Sequence, residues 1–427
     1  MHKVHLYTML LIENQIQMKF SIITPAHKKT PFVKELYDSI VAQTYENWEW
    51  ILWLNNELHE SDLDKDIIDD ERVIIHRTES DSKNVGYHKH YAFHEGSGDV
   101  LVEIDSDDLI TPDCLEELYK AYQDPEVGFA FSDVVMYQDD FVPYNAQHGW
   151  IEYPEKFKFR DKEYTVMNSW RPTSQALAFI WYAPDHVRSW RRDVYRSVGG
   201  HDKELSICDD HDLMIRTYLV AKMHHITKPL YIYRVTGDNT WLERNEAIQR
   251  ITVELYHKYG FQLAEKDADD RGLLKVDMGG GLYPKPGYMT VDQADADIIC
   301  NLEDGIPLPD NSVGVLNASH IIEHLKAPIK TMREIHRVLA HGGWAMIEVP
   351  STDGRGAWQD PTHVSFWNEH SFWYYTNRDK AVFIRNNDIR FQTYRLETWE
   401  SAPQIPVVTA WLVAIKEGER YPGVLGI

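Results

Sequence analysis

Residues 99–108 read DVLVEIDSDD, and this stretch decides the fold of the first half of the chain. An apolar run that ends in a cluster of carboxylates is typical of a buried strand whose end reaches solvent. The apolar spacing predicts helices over 31–43 and 87–94. Further strands are predicted on both sides of the first helix: FSIIT at 20–24, WEWILWL at 48–54 and VIIH at 73–76. Strands that alternate with helices favour a parallel, helix-covered α/β sheet.

The carboxylates at the end of this strand predict a ligand site. Open α/β sheets bind ligands outside the carboxyl ends of their strands. Asp105 and Asp107 are two positions apart, so both side chains can face one cleft. Two such carboxylates suit Mg²⁺ or Mn²⁺, which in turn holds a diphosphate. The cluster on its own fits a solvated turn equally well.

A second alternating series starts with LLKVDMGGG, residues 273–281, which predicts a strand followed by a glycine turn. Asp292 ends the next strand. Glycines at a strand end let the backbone approach a ligand, and an acid on the neighbouring strand suits ribose hydroxyls. A glycine cluster also fits any tight turn. Downstream, the pattern predicts a helix over 327–340 and a closing antiparallel hairpin near 391–398 and 407–415.

Composition and charge narrow the function classes. The chain has 427 residues, of which 43% are apolar, so we expect two or three globular domains. The net charge of −23 disfavours duplex nucleic acid as a partner. Cys114, Cys208 and Cys300 are too far apart for a disulfide framework or a zinc site, which favours a reducing, cytoplasmic location. No apolar run approaches the roughly 20 residues that cross a bilayer, so no transmembrane segment is expected.

The domain bounds follow from these patterns. Residues 1–17 make a poor signal peptide and are predicted to be an N-terminal extension. The first domain is expected over 18–262 and the second over 273–427. The intervening residues 263–272 include the charged stretch EKDADDRG and are predicted to be a linker.

Six segments of the first half resemble, in order, the family 2 glycosyltransferases of the GT-A fold. They are FSIITPAHK at 20–28, QTYENWEWILWLNN at 43–56, NVGYHKHYAF at 84–93, DVLVEIDSDD at 99–108, VGGHDKEL at 198–205 and DDHDLMIR at 209–216. The resemblance covers residues 19 to about 240. It implies a GT-A nucleotide-sugar-binding domain and a metal-dependent, inverting transfer of a hexose-type sugar. It also implies a nucleotide-sugar donor, a glycan or glycoconjugate acceptor, and Mn²⁺ or Mg²⁺ as cofactor.

The resemblance gives roles to particular positions. Asp107 would coordinate the metal, with Asp108 assisting it, and Asp210 would be the catalytic base that takes the acceptor proton. Asp209 and Asp210 also suit the first turn of a helix for electrostatic reasons alone. Thr236 stands where the family often has a histidine ligand. Donor binding is implied for the following residues: Thr24, Pro25, Ala26, Asn55, Lys89 and Asp105.

The second half resembles class I S-adenosylmethionine (SAM)-dependent methyltransferases of the type 11 group, which implies a Rossmann-like domain with SAM as cofactor. The matching segments are VDMGGG, YMTVD, ICNLEDGIPLPDNSV, ASHIIEHL, TMREIHRVLAHGGWAMIEVP and DPTHVSFWNEHSFWYY. Cofactor binding is implied for Asp277, Gly279, Gly281, Asp292 and Leu302.

The sequence identifies the catalytic residues of the second half less closely than those of the first half. His320 is the expected catalytic base for methyl transfer, with Glu323, His324 and His363 as further candidates. Only ten residues separate Gly281 from Asp292, and two of them are prolines, so the usual first helix is expected to be absent.

Together the two halves predict a bifunctional glycan-modifying enzyme that adds a sugar and methylates an acceptor, by O-methylation when the acceptor is a hydroxyl. The shortened glycine region leaves open a glycosyltransferase whose methyltransferase-like module only binds or scaffolds. Modification of a protein or a nucleobase is the other enzymatic alternative. The residues leave the sugar, the nucleotide and the acceptor open.

Overall fold

The computed structural model describes residues 18–80, 82–144, 154–237 and 239–418. These residues form two compact units. The first contains the described residues up to Pro172 together with Ile180–Leu255, and the second contains Thr173–Phe179 and the described residues from Tyr256 onwards. The predicted extension over 1–17 lies outside the described residues. Among the residues described, no helix has both the length and the apolar character needed to cross a membrane.

The first unit is built on an 11-stranded sheet among the described residues. Its strands are β1 Phe20–Ala26, β2 Trp48–Leu54, β3 Val73–Arg77, β4 Val100–Glu103, β5 Leu109–Ile110, β6 Val127–Gln138, β7 Val142–Pro143, β8 Lys156–Phe159, β9 Lys162–Met167, β10 Arg188–Arg191 and β11 Lys222–Arg234. The main path of the sheet runs β3-β2-β1-β4-β10-β6-β11-β5.

The predicted parallel sheet is confirmed for β1 to β4, which pair in parallel with their neighbours. It is wrong for β10, which pairs antiparallel with both β4 and β6. The first unit therefore has a mixed sheet.

The helices of the described residues cover the sheets. In chain order they are α1 Phe32–Val41, α2 Lys65–Ile68, α3 Val85–Glu95, α4 Cys114–Ala121, α5 Ser174–Phe179, α6 Arg192–Ser197, α7 Asp209–Val220, α8 Thr240–Glu243, α9 Asn245–Asp270, α10 Pro328–Val338, α11 Gly356–Gln359, α12 Glu369–Thr376 and α13 Arg378–Ala381. Helix α1 buries Val33, Leu36, Tyr37 and Ile40, which lie on one face at helical spacing. Each such apolar side chain contributes about 2 kcal/mol on burial.

The charged residues predicted as a linker continue helix α9 to Asp270 instead of leaving the helical conformation. Ala264 and Ala268 in this stretch are buried, so one face of the helix is packed. The opposite charges pair at helical spacing, as in the 3.0 Å contact of Arg271 with Asp267. Charge composition alone did not distinguish a solvated helix from a linker, and the domain bounds themselves stay a prediction.

The second unit holds a seven-stranded sheet in the order β14-β13-β12-β15-β16-β18-β17. Its strands are β12 Leu274–Met278, β13 Met289–Asp292, β14 Ile298–Ile299, β15 Val313–Ser319, β16 Leu339–Pro350, β17 Phe391–Ala402 and β18 Ile405–Ala414. Strands β12 to β16 pair in parallel, and β18 runs antiparallel to both β16 and β17. The predicted closing hairpin is therefore confirmed.

The connection between β12 and β13, residues 279–288, is described throughout and contains no helix. The expected loss of the first helix is confirmed. Helix α10 covers the sheet instead with an apolar face of Met332, Ile335 and Val338.

Both sheets share one topological feature. In the first unit, β1 lies between β2 and β4, and in the second unit β12 lies between β13 and β15. The chain adds strands on one side of this central strand and then moves to the other side. Open α/β sheets bind ligands in the crevice at such a switch point, outside the carboxyl ends of the strands.

Candidate functional site

The carboxyl ends of β1 and β2 carry the predicted donor-binding residues of the first unit. The backbone N–H of Asn55 donates to the carbonyl oxygen of Ala26 at 3.0 Å, which holds the two strand ends together. Pro25 is half-buried, whereas Ala26 and Asn55 are buried. Thr24 is buried, and its hydroxyl accepts a hydrogen bond from the Trp50 indole at 3.0 Å. The Thr24 side chain therefore belongs to the core, and its predicted donor contact stays a prediction for its backbone.

The acids that follow β4 separate into two environments. Asp108 is buried and accepts hydrogen bonds from the Tyr231 hydroxyl at 2.7 Å and from the Arg234 backbone at 2.6 Å, so it fixes the loop. The Asp105 side chain is 37% exposed, and Asp107 is also partly exposed. Desolvation, added to by Glu103 and Asp107, raises the pKa of Asp105 to about 6, and desolvation alone raises that of Asp107. Crowded carboxylates of this kind fit a divalent cation, which would offset their repulsion.

Two buried cations lie beneath these acids. Lys89 Nζ is 2.5 Å from Glu103 Oε1 and 3.9 Å from Asp209 Oδ2. Lys89 is only 8% exposed, so its charge holds buried carboxylates together and is not presented to solvent. This burial disfavours the direct diphosphate contact predicted for Lys89. Glu103 lies within the apolar run of the strand, and sequence reasoning gave it no role.

Arg188 on β10 is the second buried cation, and sequence reasoning missed it. Its Nη1 is 2.6 Å from Asp210 Oδ2 and 3.9 Å from Glu103 Oε2. The guanidinium also donates from Nε to the carbonyl oxygen of Pro184. Arg188 is separated from Asp210 by 22 positions, and it sits in a segment without clear periodicity. No pattern in the sequence indicated the pair.

The two acids at the start of α7 are electrostatically different. Desolvation raises the pKa of Asp209, which is buried, to about 7. Asp210 is partly exposed, and although desolvation opposes it, Arg188 holds the Asp210 pKa well below its ordinary value. One Asp210 oxygen also accepts a hydrogen bond from the His211 backbone, as expected of a first-turn acid. Asp210 therefore combines a first-turn position with a buried ion pair.

The acids near the end of β4 and at the start of α7 act on the same buried cation, Lys89. Glu103, Asp209, Asp105 and Asp210 all contribute to raising the Lys89 pKa, which burial would otherwise lower. His186 lies between them, with Nε2 3.9 Å from Asp105 Oδ2 and its ring stacked on Tyr231. The structure therefore brings Asp105 and Asp210 to one site.

The glycine turn of the second unit is tightly packed. Gly279 has φ +85°, and a Cβ there would lie 2.7 Å from the Ile321 side chain. A Cβ on Gly281 would lie 2.4 Å from the carbonyl oxygen of Ala294. Residues without side chains are required at both positions, and the turn can present bare backbone to a ligand.

Asp277 and Asp292 flank this turn and hold it through hydrogen bonds. Asp277 accepts from the Asn317 amide at 2.7 Å and from the Lys285 backbone at 2.8 Å. Asp292 accepts from the backbone N–H groups of Gly281 and Gln293 at 3.0 and 2.5 Å. Because a carboxylate offers about four acceptor positions, Asp292 retains capacity for ribose hydroxyls. These two acids and the glycine turn fit SAM, and Leu302, the residue predicted to flank the adenine, is buried.

The catalytic candidates of the second unit meet after β15. His320 is half-exposed at φ +53°, and its Nδ1 lies 3.5 Å from Glu323 Oε1. The Glu323 carboxylate raises the pKa of His320. His363 Nε2 is 4.0 Å from the same Glu323 oxygen. Helix α10 begins only at Pro328 and has no side-chain cap, so Glu323 and His324 do not cap it.

Two family models match separate regions of the chain. Residues 21–177 match the family model "Glycosyl transferase family 2", and residues 283–347 match the model "Methyltransferase domain". The α/β fold class is confirmed.

Two curated relatives are similar to parts of the chain. "Glucosyl-dolichyl phosphate glucuronosyltransferase" of Haloferax volcanii is 24% identical over 192 residues, which is 43% of this chain and 56% of the relative. "O-antigen biosynthesis protein RfbC" of Myxococcus xanthus is 24% identical over 219 residues, which is 49% of this chain and 15% of the relative. The chain thus spans about half of the first relative and a small part of the second.

Two solved structures are similar at a lower level. S. aureus TarS 1-349 in complex with UDP gives a TM-score of 0.42 at 16% identity, over 63% of this chain and 76% of that chain. The mannosyltransferase PcManGT of Pyrobaculum calidifontis, in complex with GDP-Man and Mn²⁺, gives a TM-score of 0.41 at 15% identity, over 60% of this chain and 70% of that chain.

Proposed function

We propose that this chain, which carries a family 2 glycosyltransferase domain and a methyltransferase domain, is a bifunctional glycan-modifying enzyme. The first unit transfers a hexose-type sugar from a nucleotide-sugar donor with the help of Mn²⁺ or Mg²⁺. The second unit methylates a hydroxyl of a glycan or glycoconjugate with SAM. The observation that carries the transferase is that Asp105 and Asp210 both act on one buried charge, that of Lys89, which contacts Glu103 at 2.5 Å and Asp209 at 3.9 Å.

The acids after β4 hold the donor. Asp107 coordinates the metal, and Asp105 contacts the nucleotide at the same edge of the sheet. The metal, when bound, neutralises charge on the diphosphate as it leaves. Pro25, Ala26 and Asn55 line the base pocket through their backbone positions at the ends of β1 and β2.

Asp210 is the catalytic base of sugar transfer. An inverting reaction needs a carboxylate that accepts the proton of the acceptor hydroxyl as the sugar migrates. Arg188 keeps Asp210 ionised across the physiological pH range and holds one of its oxygens in place. Asp209 cannot do this as readily, because it is buried and its pKa is raised to about 7.

In the second unit, the glycine turn and Asp292 hold SAM. Asp277 keeps the turn in position, and His320 lies at the end of β15 where an acceptor hydroxyl would be deprotonated. A second candidate function is favoured by the helix-free connection between β12 and β13. Without that helix the site lacks the N-terminal amides that often bind cofactors, and the module would then serve only to bind or scaffold.

A donor screen tests the transferase. Nucleotide sugars are incubated with the full chain and Mn²⁺, and release of the nucleotide is measured. We expect hydrolysis of one donor class that requires the metal and falls at least about a hundredfold in Asp107→Ala. Asp124→Ala, which removes a partly exposed acid that pairs with Lys222, is the matched control and should keep full activity. Equal activity in the Asp107 and Asp124 variants would exclude the proposed metal ligand.

Calorimetry with SAM separates the two candidate functions of the second unit. We expect saturable binding that weakens at least about tenfold in Asp292→Ala, because the ribose loses its acceptor. Asp304→Ala, an exposed acid on the neighbouring connection, should bind as the wild type does. An absence of SAM binding would favour the scaffold.

A further inference from the structure

We propose that Glu323, His324 and His363 form a binding site for a divalent transition-metal ion in the second unit. One ligand atom from each of these side chains lies within 4.8 Å of the other two. The site is separate from the metal site proposed for Asp107 in the first unit. It goes beyond the proposed function, because SAM-dependent methylation does not by itself require a metal.

The buried carboxylate is the observation that points to a ligand. Glu323 is only 2% exposed, and neither of its carboxylate oxygens accepts a hydrogen bond from any residue that the structure describes. A buried carboxylate without hydrogen bonds is costly unless a cation compensates it. The facing groups are imidazoles: His320 Nδ1 at 3.5 Å and His363 Nε2 at 4.0 Å from Glu323 Oε1.

His363 is oriented in the way that metal-bound histidines usually are. Its Nδ1 lies 3.0 Å from the carbonyl oxygen of Ala357, so this nitrogen donates and Nε2 keeps its lone pair. That Nε2 faces Glu323. The Nδ1 of His324 lies 3.3 Å from the carbonyl oxygen of Thr362. Backbone contacts of this kind fix the orientation of both rings before any metal binds.

The two segments that supply the ligands are held together by their backbones. The N–H groups of Val364 and Ser365 both donate to the carbonyl oxygen of Glu323 at 2.9 Å. The rings of His324 and His363 meet at a centroid distance of 4.9 Å. In a tetrahedral zinc site the ligand atoms are about 3.4 Å apart, so a contraction of at most about 1.4 Å from the present 4.8 Å completes the geometry.

The ligand set selects the class of metal. Two imidazoles and one carboxylate suit Zn²⁺, Fe²⁺ and similar borderline ions, whereas Mg²⁺ prefers oxygen ligands alone. Three protein ligands leave coordination positions open for water or for an acceptor oxygen. Ile321, two positions before Glu323, packs against Gly279 of the glycine turn, so the site borders the proposed cofactor loop. A role for the metal in binding the acceptor oxygen rests on the proposed function. The binding of the metal itself does not rest on it.

The test uses Co²⁺, whose visible absorption bands report nitrogen ligands, together with the metal content after dialysis of the full chain. We expect one equivalent of Co²⁺ with strong bands, displaced by Zn²⁺. The bands should be lost in His324→Ala and in His363→Ala. They should remain in His370→Ala, which removes an exposed histidine of α12, and in Asp107→Ala, which removes the proposed metal ligand of the first unit.

Several outcomes would overturn the site. They are an absence of Co²⁺ bands in the wild type, bands that survive in both histidine variants, or bands that vanish in Asp107→Ala alone. In those cases the cluster is not a metal site. Far-UV circular dichroism and the melting temperature show whether each variant folds. If His363→Ala does not fold, Glu323→Gln and the partly exposed His324→Ala decide the question. SAM calorimetry is read separately, so failure of the metal site and failure of the methyltransferase are distinguishable.

Discussion

The two units place acids at the same point of their sheets but satisfy them in different ways. In the first unit, Glu103 and Asp210 are held by the buried cations Lys89 and Arg188. In the second unit, Asp277 and Asp292 accept hydrogen bonds from backbone N–H groups and, for Asp277, from an amide. Charge compensates charge in one site, whereas neutral donors hold the acids in the other.

This difference indicates what each site is built to bind. A cluster of charges with a net excess of carboxylate suits a cation and, through it, a diphosphate. Acids fixed by neutral donors keep lone pairs for hydroxyl groups, and a tight glycine turn gives shape without charge. The same topology therefore supports a polyanionic donor in one unit and an adenosine-type cofactor in the other. Substitutions in each unit test this comparison.

The largest effect is expected for Asp210→Asn. The amide keeps the shape of the side chain but cannot take a proton, so we expect turnover in sugar transfer to fall about a thousandfold. Binding of the nucleotide sugar should change little, because Asp210 acts on the acceptor. Steady-state kinetics with the donor found in the screen provide the measurement.

Asp209→Asn is the matched control for this experiment. Asp209 is adjacent on α7, is buried, and has a pKa raised to about 7, so much of it is already neutral near pH 7. We expect a small loss of turnover. Equal losses in the two variants would show that the α7 acids act only on the stability of the helix.

Arg188→Met is expected to have the next largest effect, on stability. The substitution leaves Asp210 without its buried partner and Glu103 with Lys89 alone, and breaking such a pair costs about 3 kcal/mol. Hydrogen–deuterium exchange should rise in peptides that contain β4, β10 and the start of α7. Peptides of β12, β15 and β16 should keep their protection, since their acids depend on no buried arginine.

Arg196→Met, at an exposed position of α6, is the control for removal of an arginine. Its exchange pattern should match that of the wild type. If Arg188→Met also matches the wild type, the buried ion pairs do not hold the first site, and the contrast between the units fails.

The sequence predicted the strand ends that carry the two sites better than it predicted which charged side chains meet there. The ends of β4 and β12 were predicted because an apolar run followed by acids or glycines is a local signal. The cations were not predicted in their roles: Lys89 and Glu103 are 14 positions apart, Arg188 and Asp210 are 22 apart, and Arg234 and Glu35 are 199 apart. A single sequence carries no sign of which charges meet. The antiparallel β10, which delivers Arg188, was hidden for the same reason.

A smaller effect is expected for Gly279→Ala in the second unit. At φ +85° an alanine is strained, and its Cβ would also press on Ile321. Gly287→Ala is the matched control, because Gly287 has φ +80° with no atom within 4 Å of an added Cβ. We expect Gly279→Ala to destabilise the protein by about 1–2 kcal/mol more than Gly287→Ala, because overpacking adds to the same strain. Thermal unfolding measures the difference. Equal destabilisation would show that the turn is looser than a backbone-shaped cofactor site requires.

The smallest expected effect is a pH dependence of stability, which differs between the two units. His336 of α10 is buried, donates from Nε2 to the carbonyl oxygen of Ile415 at 3.2 Å, and has its pKa lowered to about 4 by burial, with Lys416 adding to the effect. The unfolded chain, with an ordinary histidine pKa near 6.5, binds more protons between these values. The contribution of neutral His336 is therefore complete above about pH 6.5 and falls as the pH drops, by about 1 kcal/mol at pH 5.5.

His336→Gln should remove this dependence. Between pH 8.0 and 5.5 the melting temperature of the wild type should fall about 3 °C further than that of the variant, while exposed His370→Gln should behave as the wild type does.

Asp209 in the first unit contributes to the pH dependence of stability in the opposite direction. Its raised pKa means that the folded state retains a proton as the pH rises towards 7, so its contribution to stability decreases over that range. Because the glutamine variant changes only a neutral, buried position of the second unit, the difference in melting temperature between wild type and variant reports the titration of that position alone. A melting difference that is independent of pH would mean that His336 titrates as in the unfolded chain. Burial at this position would then not exclude the charged imidazole.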